Sequence, residues 1–135
     1  MEFKKFEKFL QNRTFEQGEA LEAEALIVAQ IILVNSGADF IPKSYVEFLR
    51  RYNGFKSDRV YFFGATVDDD LDIVDRNEDT PKPKNSIVLG YNDTDLLCFD
   101  FTEKKYQIAD RDTLQIVETF AENDLDAALQ EICYG

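Results

Sequence analysis

Three short apolar runs in the second half of the chain lie three residues apart, and that spacing governs the fold. SIVLGY (Ser86–Tyr91), DLLCFDF (Asp95–Phe101) and KYQIAD (Lys105–Asp110) each read as a strand bounded by turn residues. A parallel crossover needs about a dozen residues or more, so gaps this short favour antiparallel neighbours. Thr102-Glu103-Lys104 is the expected turn of a hairpin between the second and third runs. VYFFGA (Val60–Ala65) adds a strand upstream, and LQIVETF (Leu114–Phe120) adds one downstream.

The flanking segments change period. EFKKFEKFLQNR places Phe3, Phe6 and Leu10 on one helical face. A helix is expected from Glu19 to Val34, and after Ala25 apolar residues cover nearly its whole circumference, which predicts deep burial. Asn35-Ser36-Gly37 ends it, with Gly37 fit for a left-handed cap. In IPKSYVEFLRRYNGF, Pro42 suits a first helical turn, and Tyr45, Phe48, Leu49 and Tyr52 form one face. Asn53 and Gly54 stop that helix, and Asn53 is also placed to bridge to the following loop. Leu71–Asn77 reads as a short acidic helix or an irregular loop, with the helix preferred. PKPKNS is a break. Leu125, Ala128, Leu129 and Ile132 make the stripe of a last helix, with Asn123 as its expected N-cap. One α+β domain over 1–135 follows, with a mainly antiparallel sheet.

Composition narrows the chemistry. The 135 residues contain no histidine, which removes the commonest general base and transition-metal ligand. Serine–histidine and cysteine–histidine nucleophile arrangements are therefore ruled out. Glycine-rich phosphate loops and zinc spacings do not occur. Cys98 and Cys133 read as free packing thiols in a reducing compartment. The start of the chain has no apolar signal core, and the run Ala25–Val34 is half the ~20 residues of a membrane span. A cytoplasmic protein with no membrane contact is expected.

The net charge of -12 is segregated. Basic and acidic side chains cancel over 1–65, nine against nine, whereas 66–135 carries six basic and eighteen acidic. Half of the excess lies in TVDDDLDIVDRNEDT, where Asp68, Asp69, Asp70, Asp72, Asp75, Glu78 and Asp79 outnumber one arginine. Nucleic acid is a poor partner for such a chain, and a basic protein surface is a good one. Asp68, Asp70 and Asp72 match positions 1, 3 and 5 of a calcium loop. Ile73 stands where that loop needs glycine, and Asp79 where it needs glutamate. No metal or cofactor is expected, and the acidic segment is a candidate contact face. Catalysis by carboxylates alone stays open.

The run carrying Pro42, Tyr45, Phe48, Leu49, Asn53 and Gly54 resembles the signature of the SUKH superfamily, the Smi/Knr-like proteins. Downstream, Leu89-Gly90 before Asp93, the strand ending in Asp100, Tyr106 through Asp110 and Arg111, and the aromatic Phe120 look like its YrhA-like branch. The matches cover about Ile41 to Ile132. The resemblance implies a curved, mostly antiparallel sheet backed by N-terminal helices and a C-terminal helix, with these motif residues mainly structural. It also implies a non-catalytic immunity protein that neutralises a cognate bacterial toxin, often a nuclease. Such a protein is expected as a monomer or weak homodimer. The alternative is an intracellular scaffold or regulatory interaction domain without a toxin partner.

Overall fold

The computed structural model describes residues 2–65 and 69–135. Among them the strands run β1 (Glu16–Gln17), β2 (Phe55–Ser57), β3 (Val60–Phe62), β4 (Ser86–Tyr91), β5 (Asp95–Asp100), β6 (Lys105–Asp110) and β7 (Ile116–Ala121). They form one sheet in sequence order, every neighbour antiparallel. The helices are α1 (Lys4–Leu10), α2 (Ala23–Asn35), α3 (Lys43–Leu49), α4 (Ile73–Asp79) and α5 (Leu125–Tyr134). This is the expected α+β architecture. The three runs spaced by three residues are its centre, β4 to β6.

Short turns join β2 to β3 and run from β4 to β7, and three of them contain a residue with positive φ: Asp58 at 52°, Lys104 at 58° and Leu114 at 63°. Two register shifts bend the sheet. In β4, Val88 faces Cys98 and Gly90 faces Leu97, so Leu89 is the extra residue. In β7, Val117 is extra between Ile116 and Glu118. β1 and β2 carry too few apolar residues to show in the sequence; they pair with the sheet through Glu16–Lys56 and Phe55–Phe62.

One face of the sheet is closed by aromatic rings. Phe6 of α1 meets Phe48 of α3, Phe55 of β2 and Phe62 of β3 edge-on, with centroids 5.0–5.9 Å apart. That geometry suits the ring quadrupole. Leu125, Ala128, Leu129 and Ile132 of α5 join the same core. Asp126 of α5 also caps α1: its carboxylate accepts from Lys5 N and Phe6 N, both at 2.9 Å. The helix lacks a side-chain cap of its own, so the packing of α5 supplies it.

Three expectations need correction. Asn123 is not the N-cap of α5; it lies in a 3-10 turn over Glu122–Asp124, and Asp124 is the residue that precedes the helix. Pro42 sits one position earlier than the first helical turn, as the extended residue before α3. The larger correction concerns α2. Ala29 and Leu33 are buried, but Ile27, Val28 and Ile31 are each more than half exposed. The helix rests on the molecule by one side. Its apolar circumference could not reveal which side, because both look alike in sequence.

Candidate functional site

The acidic segment is anchored rather than loose. Gly64 N donates to Leu71 O at 2.9 Å, and Ile73 N donates to Gly64 O at 2.8 Å, tying it to the end of β3. A 3-10 turn over Asp69–Leu71 leads into α4. Asp72 begins the helix, its carboxylate accepting from Asp75 N at 3.1 Å. A carboxylate there satisfies a free N–H and opposes the helix dipole.

Two inward residues of α4 hold it down. Ile73 is fully buried. One turn later Asn77 forms a closed amide pair with β4, accepting from Val88 N and donating to Val88 O, both at 2.8 Å. β3 pairs with β4 only at Tyr61 and Phe62, so Asn77 takes the place of a strand beside Val88. The outward residues are then fixed by helical period. Glu78 and Asp79 are exposed, as is Asp70; Asp72 and Asp75 are half-buried. Asp68 and the side chain of Asp69 lie outside the described residues.

The segment's arginine lies beside two aromatic rings. The Arg76 guanidinium lies 5.9 Å from the Phe63 ring centre and 5.8 Å from that of Tyr91. Arg111 covers Tyr91 at 4.7 Å, and Tyr91 stacks on Tyr61 at 4.7 Å. Burial pushes the Tyr91 phenol up, Arg76 and Arg111 oppose this, and the nearby Asp70 carboxylate adds to it. Arg76 and Arg111 thus flank aromatic faces, while Asp70, Glu78 and Asp79 are exposed.

The remaining groups offer little chemistry. Backbone N–H groups hold Asp39 and Asp110 below the usual carboxylate range, the wrong direction for a general acid. Burial pushes the Cys98 thiol up to about 12 and raises Cys133 as well. Neither is a thiolate at neutral pH. Among the described residues no group of three carboxylates or thiols is arranged to hold a metal. A cleft of about 440 Å³ lies between the end of α2, α4 and β4. Two of its polar groups bond its own wall: Lys82 donates to Asn77 O at 2.5 Å, and Ser86 to Pro83 O at 2.6 Å.

The other motif residues lie in the framework. Pro42, Tyr45, Phe48 and Leu49 are buried. The Tyr45 hydroxyl donates to Phe63 O and Leu89 O, the latter at 2.9 Å, so it ties α3 to the β4 bulge. The Tyr106 hydroxyl bonds that of Ser44. Asn53 makes a second amide pair, accepting from Ala65 N at 2.8 Å and donating to Ala65 O at 3.0 Å, and reaches Glu19 O at 2.9 Å. The expected bridge to the loop is therefore present. Gly54 has φ 73°. A Cβ on Gly90 would stand 2.4 Å from Tyr61 O, so only glycine lets β3 and β4 approach. Asp110 closes a turn, accepting from Asp112 N and Thr113 N.

Sequence reasoning missed Asn77, Asn92 and Asp126. Asn92, between β4 and β5, is buried. Its Oδ1 accepts from Thr94 N and Asp95 N, and its amide donates to Ile132 O at 2.9 Å. For Asn77 a signal existed: it follows Ile73 by one helical turn inside an otherwise charged run. No helix among the described residues is long and apolar enough to cross a membrane. No family model matches the chain, and no curated protein matches it.

Proposed function

We propose that this chain is a non-catalytic binding protein that neutralises a cognate toxin bearing a basic surface, and that α4 with its preceding turn makes the contact. One observation carries the reading. The net charge of -12 resides in 66–135, and at its densest part Asp70, in the turn before α4, and Glu78 and Asp79, on that anchored helix, are exposed. A nuclease presents basic groups to phosphates. An acidic surface held in a fixed shape competes for those groups and speeds encounter by steering. The resemblance to SUKH immunity proteins supports the same reading.

The test is to express the C-terminal domain of the reading frame just upstream of this gene, with and without this protein, and to count survivors. Rescue of growth is the expected result, and toxicity without rescue overturns the reading. With the partner in hand, the triple variant Asp70→Asn, Glu78→Gln, Asp79→Asn spares the α4 cap. It should lower the association rate about tenfold at low salt and flatten its salt dependence. An unchanged rate would remove α4 from the interface.

A further inference from the structure

The exposed side of α2 has no role in the acidic surface, and its composition is unlike the rest of the molecule. Ile27, Ile31 and Val34 follow one another along one side, with Val28 and Ile32 flanking them. Their exposures are 56, 53, 38, 55 and 39%. The sequence of α2 contains one charged residue, Glu24, at its first turn. Ile41 N donates to Gln30 Oε1 at 3.0 Å, which brings the 64%-exposed Phe40 alongside the same helix. The helix that carries this face is closed at its end by paired bonds around Gly37. Gly37 N donates to Val34 O, and Ala38 N to Leu33 O.

We infer that this face is a self-association surface, occupied by α2 of a second copy of this chain in antiparallel packing about a two-fold axis near Ile31. The area favours this occupant. Six side chains at these exposures present on the order of 600 Å² of apolar surface, so two copies bury up to about 1,200 Å², the lower end of the range of specific interfaces. The symmetry favours it too. A two-fold axis at Ile31 sets that residue against its own copy and Val28 against Val34, making a flat β-branched surface complementary to itself. Charge allows it, since the two Glu24 carboxylates stand about 20 Å apart along antiparallel helices, beyond the screening length at moderate salt. A toxin with a basic surface finds nothing on this face to pair with. The inference is independent of the toxin-binding reading.

Sedimentation velocity on the full chain, from about 1 to about 100 µM and at low and high salt, tests it. The expected result is a reversible dimer that tightens as salt rises, because each copy carries -12. Ile31→Lys should weaken the dimer at least about tenfold with an unchanged circular dichroism spectrum. Ile31→Cys should cross-link to its own copy on mild oxidation. Val117→Lys, on the exposed edge strand β7, should leave the dimer intact. A parent that is monomeric throughout overturns the inference and leaves the face to a different partner. So does a dimer that survives Ile31→Lys, fails to cross-link through Ile31→Cys, or is lost with Val117→Lys.

Discussion

Three buried asparagines do at single points what strands and caps do elsewhere. Asn53 and Asn77 each offer a carboxamide to one backbone N–H and one C=O, on Ala65 and Val88. Asn92 ties the β4–β5 turn to the end of α5. A buried backbone group left without a partner costs about 1–3 kcal/mol. Asn77→Ala strands both groups of Val88 and should lower stability by about 2 kcal/mol. Urea unfolding would read this as a lower midpoint at unchanged slope, and a loss near zero would show that water replaces the carboxamide. Burial also acts on ionisation. Cys98 is held near 12 when folded, against 9.0 for a free thiol. Between those values the unfolded chain releases a proton that the native chain retains. Stability present below pH 9 is therefore lost as pH climbs towards 12. Tyr45 and Tyr106, also raised by burial, act in the same direction above 10. Thermal melts should show a falling midpoint above about pH 9, with a shallower fall in Cys98→Ala. An identical slope in the variant would count against Cys98.

Among the elements, α2 and α4 differ in what sets their orientation. α4 alternates inward Ile73 and Asn77 with outward acids, so its orientation follows from charge. α2 is apolar all round, and its orientation follows from where Ala29 and Leu33 find the core. Its two sides should differ sharply in energy. Leu33→Ala removes a side chain 3% exposed and should cost about 3 kcal/mol. Ile27→Ala, at 56% exposure, should change monomer stability by no more than about 0.5 kcal/mol. Chemical denaturation of the two variants at low protein concentration separates these outcomes, and equal costs would mean that the helix is covered on both sides.

Over the whole molecule, two surfaces with opposite physics lie apart in sequence. The outward side of α4 is charged, and contact through it weakens as salt screens the attraction. The exposed side of α2 is apolar, and contact through it strengthens as salt screens the repulsion between acidic copies. Salt titration of association therefore assigns a binding event to one surface or the other without a mutation. The sheet keeps both in place. Its neighbours along the chain are its neighbours in space, and the bulge at Leu89 offers its carbonyl to Phe63 N and the Tyr45 hydroxyl. That couples the helix before the acidic segment to the strand behind it.

The amino-acid sequence by itself determined β4 to β6, the helical character of α1, α2, α3 and α5 and the location of the charge. Those properties are local: turn spacing, side-chain period and the count of acids do not depend on distant partners. Only the tertiary structure decided which side of α2 is bare, that Asp126 caps a helix some 120 residues away, and that Asn77 substitutes for a strand. Each of these joins groups far apart in the chain, and a uniformly apolar helix or a lone asparagine carries no local mark of the partner it will meet. Two-residue β1 was beyond reach for the same reason, since Glu16 and Gln17 become a strand only because β2 presents an open edge to them.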